Sequence, residues 1–385
     1  YTTSLIGYYK NDWREIIFNK MFVSDRRRRT EMEVNMGKLK VMHVLCMSTY
    51  SGAENVAITL INSLKDRVDS IYVSPNGSIR KVVQQNGIEH YVIDRVDVKN
   101  IKKAIRDIKP DIIHAHDFTA GTICSLSTRK IPIINHLHNN PPWIKKIGLK
   151  SILYGFSCYR YRKILTVSNS IMDEFIFGKF FKKKMTIIGN PINLSSIKRK
   201  AEAAEENEKF DVLFLGRLMP PKNPILFVDI IADLVKKLPN LKVAIVGEGD
   251  LKIKIEKKIT QYNISKNVVL YGFQENPYVF VKNTKILCVP SVWEGFGLVA
   301  VEGLCFGKPV IATPVGGLKD IVNNECGKLC VEKNEFVSEI YRLLTDSTYL
   351  DKKSSGALKR AIIFDNIDEY SKIIIDTYEE VLGEI

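Results

Sequence analysis

From Val41 onward the chain repeats one unit: a short apolar run, a loop, then a stretch of helical length. Val41–Met47 is continuously apolar, the pattern of a strand buried on both faces of a parallel sheet. Ser70–Val73, His90–Val92, Ile112–His114, Ile131–Asn135, Lys163–Val167 and Met185–Ile188 read as further strands. Helices fill the gaps, as at Glu54–Lys65 and at Lys99–Ile108, where Pro110 closes the segment. Ser195–Lys209 breaks the rhythm: it is polar, rich in Lys, Ala and Glu, and has no large aromatic residue. The unit then restarts with strands at Phe210–Gly216, Leu241–Val246, Val268–Tyr271, Ile286–Val289 and Pro309–Ala312. Such alternation dictates an α/β architecture of two doubly wound, Rossmann-like halves. Ligands of these sheets bind at the carboxyl ends of the strands, here facing the cleft between the halves.

The chain's 385 residues suit two domains of about 150–200 residues each. The expected division is a first domain over 36–194, a linker over 195–209, a second domain over 210–362, and a C-terminal helix over 363–385 that packs back on the first domain. Residues 1–35 read as an extension of uncertain origin, with an amphipathic helix over Trp13–Phe22 and the basic run Arg26–Arg29. Lys10, Asp12, Arg14 and Glu15 interrupt any hydrophobic region there, so no signal peptide is expected. No apolar run approaches the roughly 20 residues of a membrane span. The seven cysteines include no C-x-x-C pair and are expected as reduced thiols of a cytoplasmic chain.

Charge is distributed unevenly. Residues 1–208 hold 34 Lys+Arg against 20 Asp+Glu, whereas 209–385 hold 23 of each, so the first half carries the whole net charge of +14. Clusters at Lys145/Lys146/Lys150, Arg160–Lys163 and Lys179–Lys184 interleave in part with aromatic residues, which suits an anionic bilayer surface. A plain solvated face is the alternative. No nucleic-acid-binding motif accompanies the charge, and nucleic acid is not an expected partner.

The densest chemical signal is SVWEGFGLVAVEGLCFGKPVIATPVGGLKDIV, Ser291–Val322. Glu294 and Glu302 stand seven intervening residues apart, with Gly295-Phe296-Gly297 after the first and a helix opening near Leu298. Glycines let backbone N–H groups approach a ligand, and a helix N-terminus favours an anion such as a diphosphate. Glu302 can accept two ribose hydroxyls, and Glu294, at the loop mouth, hydroxyls of a sugar. A second signal is Arg217 and Lys222, which leave the carboxyl end of the Phe210–Gly216 strand and offer a bidentate grip and a point charge for phosphate oxygens. Gly247-Glu248-Gly249 is only part of a dinucleotide fingerprint.

These segments resemble the retaining glycosyltransferases of family 4 (group 1), with the GT-B fold. Glu294 and Glu302 match that family's E-x7-E signature with its glycines, and Pro309–Gly317 matches as a block. The resemblance implies that Arg217 and Lys222 hold the donor diphosphate, and that Gly247, Phe273 and the turn Gly295, Phe296, Gly297, Leu298 lie along the nucleotide. Ser51-Gly52-Ala53-Glu54 resembles the family's glycine loop with Ser51 in place of the first glycine, which sets Gly52 towards the donor phosphate. His138 aligns with a histidine that hydrogen-bonds the transferred sugar; His136 is read as structural, and His114 and His116 as a packed strand end rather than a metal site.

The implied activity is retaining transfer of a sugar, most simply from a UDP-sugar and without cofactor or metal, since no D-x-D triplet or helical H-E-x-x-H occurs. His136–Trp143 looks like relatives that build capsular or exopolysaccharide units on a lipid diphosphate, so a saccharide or lipid-linked acceptor and peripheral contact with an anionic membrane are the expected partners. An epimerase or hydrolase of the same fold stays open as an alternative. A Rossmann dehydrogenase is more distant, because no complete G-x-G-x-x-G with its acidic residue is present.

Overall fold

Two parallel sheets carry the chain in the computed structural model, which describes residues 38–203 and 208–383. The Trp13–Phe22 and Arg26–Arg29 readings lie outside these residues. The first sheet contains β1 (Leu39–Val44), β2 (Val68–Pro75), β3 (Glu89–Ile93), β4 (Ile112–His116), β5 (Ile133–Leu137), β6 (Lys163–Thr166) and β7 (Met185–Ile187) in the order β3-β2-β1-β4-β5-β6-β7. The second contains β8 (Phe210–Leu215), β9 (Val243–Val246), β10 (Val268–Gly272), β11 (Thr284–Val289), β12 (Val310–Ala312) and β13 (Gly327–Leu329), ordered β10-β9-β8-β11-β12-β13. In each sheet the strand order reverses beside the first strand, at β1/β4 and β8/β11, which places a crevice at the carboxyl ends of those strands.

The central strands are buried on both faces, as their uninterrupted apolar runs require: Met42 and Val44 of β1 and Val243–Val246 of β9 are essentially inaccessible. Boundaries move by one to three residues from the sequence reading. β1 ends at Val44, and Leu45 then donates its N–H to Val73 as the chain leaves the sheet. The short edge strand β13 has no apolar run and was not anticipated.

The polar connection begins as a helix, Leu194–Glu202, capped by the Asn193 side chain, which accepts from the Ser196 N–H. Only Leu194 and Ala201 are buried in it, so it carries little apolar periodicity. Just before it the chain meets a second crossing. Asn366 accepts from the Ile192 N–H (3.1 Å) and donates its own N–H to the Ile192 carbonyl (3.2 Å), while Asp365 accepts from the Leu194 N–H (3.1 Å). The last helix, Ile367–Gly383, then lies on the first sheet: Tyr378 is hydrogen-bonded to His114 (2.8 Å) and Glu380 is paired with Lys163 (2.7 Å). All seven cysteines are free, six of them buried. Among the described residues no helix is long and apolar enough to cross a membrane.

Candidate active site

Three loops leave the carboxyl ends of β8, β9 and β10 and are tied together by backbone bonds. Gly216 donates to Val246, Gly247 to Gly272, and Leu218 to Glu248. Gly247 sits at φ +136°, and a Cβ there would lie 2.0 Å from the Gly216 carbonyl oxygen, so the loop crossing itself requires glycine here. The β8 loop delivers Arg217 to solvent at the cleft. It then turns through Pro220–Lys222, where the Pro221 carbonyl accepts from Val292 at 2.8 Å and fastens the turn to the loop after β11.

That loop carries the pair at the centre of the site. Lys222 donates to both oxygens of Glu294, at 2.7 and 2.6 Å, and Ser291 contributes a third contact at 3.2 Å. The Glu294 side chain is only 10% exposed and that of Lys222 24%. The sequence reading assigned the two residues to separate partners, diphosphate and sugar; in the structure each is the other's partner. Gly297, at φ +103°, caps the helix Leu298–Cys305, so the glycine turn ends at a helix N-terminus. The Pro309–Gly317 block packs directly beneath, with Gly317 donating to the Gly295 carbonyl and Thr313 to that of Ser291.

Gly295 touches the other half of the molecule. A Cβ on it would lie 1.9 Å from the His138 carbonyl oxygen, so the two domains meet here backbone to backbone. Gly52, the first residue of the helix Gly52–Leu64, faces the same seam, with Leu298 4.0 Å from where its Cβ would stand. Phe296, in the same turn, also has a packing role. Its ring packs into the hydrophobic clusters of both domains and against Phe364, 6.1 Å between centroids, and its side chain is structural.

Carboxylates gather on both walls. Glu302 lies one turn into the Leu298–Cys305 helix and is pushed up to about 7 by burial, against the opposing Tyr278 hydroxyl and the charges of Lys200 and Lys222. Across the cleft, Asp117 follows β4 at φ +65° and accepts from the His138 N–H at 3.0 Å. Burial pushes it to about 7; the His138 hydrogen bond and Arg217 act the other way, and Glu54 adds to the rise. Glu54 is itself raised by burial, countered by its hydrogen bond from Ser51 and by Arg217. Arg217 therefore projects its field onto two carboxyls of the opposite domain. Asp117 is not among the residues the sequence pattern singles out; its signal is position, at the carboxyl end of a strand next to the order reversal.

Five of the six histidines form one body on β1, β4 and β5. His43 bonds His116 (3.2 Å), His116 bonds His138 (2.9 Å), and His114 joins Tyr378 to His136 (3.3 Å). Burial drives all five towards the neutral form, His43 and His138 to about 3. His138 spends Nε2 on His116, which leaves buried Nδ1 as the atom for any hydroxyl. Two triplets, His43/His114/His116 and His116/His136/His138, bring ring nitrogens within 4.8 Å of one another. Nε2 of His43 and of His136 and Nδ1 of His138 are buried without a partner, while the other nitrogens of these rings serve the hydrogen-bonded chains.

Two cavities open between the domains. The smaller, about 50 Å³, is lined by Glu302, Tyr278, Lys200 and Leu298 together with Asn55 of the first domain. The larger, about 980 Å³, runs between the domains past Tyr50, Lys200, Glu275 and the 53%-exposed Phe273. Neither is lined by Arg217, Lys222 or Glu294.

The chain matches the family Glycosyl transferases group 1 over residues 195–360 and Glycosyltransferase Family 4 over residues 50–196. It is 32% identical over 258 residues, 66% of this chain and 67% of the other, to the N-acetylgalactosamine-N,N'-diacetylbacillosaminyl-diphospho-undecaprenol 4-alpha-N-acetylgalactosaminyltransferase of Campylobacter jejuni. It spans 58% and 62% of the length of two uncharacterized glycosyltransferases of Methanocaldococcus jannaschii, at 29% and 34% identity over 55% and 58% of this chain. Among solved structures it resembles Anabaena HepE in complex with UDP and glucose, with a TM-score of 0.77, 19% identity, and coverage of 89% of this chain and 99% of that one. This last likeness establishes the fold, GT-B.

Proposed function

This chain belongs to the glycosyltransferases of family 4, and we propose that it moves a sugar from a UDP-sugar to a lipid-linked saccharide with retention of configuration and without a metal ion. The observation that carries the reading is the Lys222–Glu294 pair, set between Arg217 and the helix N-terminus at Leu298. A diphosphate entering there meets Lys222, Arg217 and the turn's N–H groups. Lys222 exchanges Glu294 for phosphate oxygens, and the released carboxylate accepts hydroxyls of the sugar. Glu302 takes the ribose hydroxyls, and its ionisation is favoured once they donate to it.

In the reaction, the bond from the anomeric carbon to the phosphate oxygen breaks with its electron pair leaving on UDP. The acceptor oxygen bonds the same face of the carbon, and its proton passes to the departing phosphate oxygen. Arg217, Lys222 and the helix end stabilise the developing anion; one such preorganised donor contributes roughly 3–4 kcal/mol. These cations take the charge-neutralising role that a divalent ion fills elsewhere. A front-face step, rather than a double displacement through a carboxylate, is the reading that the family resemblance supports. Support for the acceptor comes from the Campylobacter relative, whose name specifies a diphospho-undecaprenol saccharide and an α linkage; an α product from an α-linked UDP donor is retention. Polysaccharide synthesis at the cell surface, with the enzyme on the cytoplasmic side, follows from that acceptor.

The test is a panel of UDP-sugars offered to the full chain with an undecaprenyl-diphosphate-linked saccharide, with product read by mass and its anomeric configuration by NMR. A new α-glycosidic bond formed in EDTA is expected. A β product, or donor consumed equally without acceptor, would overturn the reading.

A further inference from the structure

The helix Leu149–Cys158 is turned inside out. Its buried face is Ser151, Tyr154, Gly155, Ser157 and Cys158, whereas Leu149, Ile152, Leu153 and Phe156 face water. Leu149 is 75% and Phe156 68% exposed. The spacing i, i+3, i+4, i+7 is that of an apolar helix stripe, and here the stripe points away from the core. The segment after β6 extends it. Phe177 lies under Gly155 (3.3 Å from where its Cβ would be), Phe181 packs on Tyr159 (5.0 Å), and Phe180 next to them is 78% exposed. An apolar patch of this kind, rimmed by polar groups, marks an interaction surface.

The rim names the partner. Lys146, Lys150, Lys179, Lys182 and Lys183 are all exposed around the patch. Between Asp117 and Glu202 the only carboxylates in the sequence are Asp173 and Glu174, and Glu174 is already paired with Lys145. Lys184 is not part of the rim, since its ammonium donates to the carbonyls of Cys158, Tyr159 and Tyr161 and ends the helix. Projecting leucines and phenylalanines inside a ring of lysines, with almost no negative charge, fit an anionic bilayer interface. The helix also follows in sequence the His136–Trp143 segment on the acceptor side of the cleft.

We infer that the outward face of Leu149–Cys158, with Phe180, inserts into the headgroup boundary of an anionic membrane and holds the cleft beside a lipid-linked acceptor. The inference rests on the acceptor class proposed above, and its test reads binding separately from transfer. Lysines attract the chain to the surface, and the apolar side chains retain it after salt has screened them.

Co-sedimentation of the full chain with phosphatidylglycerol/phosphatidylcholine vesicles, and Trp fluorescence of an F156W variant, decide it. F156W emission is expected to shift to the blue on vesicle addition. L149S/L153S/F156S is expected to lower partitioning at least about tenfold, the loss of roughly one fully buried apolar side chain, with UDP affinity unchanged. K179S/K182S/K183S should lower it at low salt only. Bound protein with unshifted F156W emission, or wild-type partitioning by the triple Ser variant, overturns the assignment and moves binding elsewhere. A dimer in vesicle-free solution that the triple Ser variant dissolves assigns the face to a second copy and overturns it equally. Vesicle binding without transfer to the lipid-linked saccharide leaves the docking face standing and removes the acceptor reading.

Discussion

Replacing Lys222 by Met tests the centre of the proposed reaction without adding donor. Glu294 then keeps a side chain that is 10% exposed with one remaining contact, Ser291 at 3.2 Å. Removing one partner of a fully buried pair costs about 3–5 kcal/mol. Lys222 retains 24% exposure, so water reaches part of the space and about 2 kcal/mol is the better figure. For a domain of this size that corresponds to a fall in Tm of about 4–8 °C. E294Q strands a cation nearer to solvent and should cost about half as much; K222M/E294Q should be milder than K222M alone, since no buried charge is left unpaired. Nucleotide binding then separates partner exchange from simple packing. Wild-type protein must break the pair to place Lys222 on the diphosphate, whereas E294Q has it released. Calorimetry should find UDP bound about tenfold tighter by E294Q, the equivalent of about 1.4 kcal/mol, while transfer from the UDP-sugar falls. If E294Q loses UDP affinity as K222M does, the exchange is wrong and Glu294 serves the phosphate site only by holding Lys222 in place.

Arg217→Ala should lower transfer by about 100-fold, read as kcat/KM, with Tm unchanged because the side chain is exposed and faces the cleft. Glu302→Ala should weaken UDP and UDP-sugar in equal proportion by calorimetry, whereas the Glu294 variants separate the two ligands. Glu302 stands at about 7 against an ordinary 4.5; the folded state therefore binds more protons than the unfolded one between these values, and stability falls as pH rises from about 4.5 to about 7. E302Q should flatten that part of the Tm–pH curve, and wild-type UDP affinity should rise through pH 7 as the carboxylate needed by the ribose ionises.

Most of the fold was legible because parallel strands buried on both faces must be apolar runs, and only β13, a three-residue edge strand with one fully buried position, escaped the pattern. The local chemistry of Ser291–Val322 was legible for a related reason. Gly316 and Gly317 pack against the backbone of Glu294 and Phe296, so the two ends of that motif are one object and occur together. Pairings between distant segments were not legible. Nothing in a linear sequence says that Lys222 and Glu294, 72 positions apart, point at each other. The same holds for His138, whose Nε2 is taken by a residue 22 positions away, and for Asp117, whose raised pKa follows from burial at the domain seam. The side of a helix that faces water is equally a tertiary fact. Leu149–Cys158 carries a normal amphipathic stripe, and only the packing of Tyr154 and Cys158 inward shows that the stripe faces out.

The seam between the domains explains why these pairings belong together. Arg217 acts on Asp117 and Glu54 across the seam at which Gly295 also approaches His138. The salt bridge Lys81–Glu275 spans the same gap, but both side chains are more than half exposed, so it adds at most about 1 kcal/mol. Phe296, set between the two cores, contributes more, since separating the domains returns its ring to water. The chain itself passes between the domains at Ile192 and Asn366, where two hydrogen bonds pair the crossings, so the seam is held by backbone as well as by side chains.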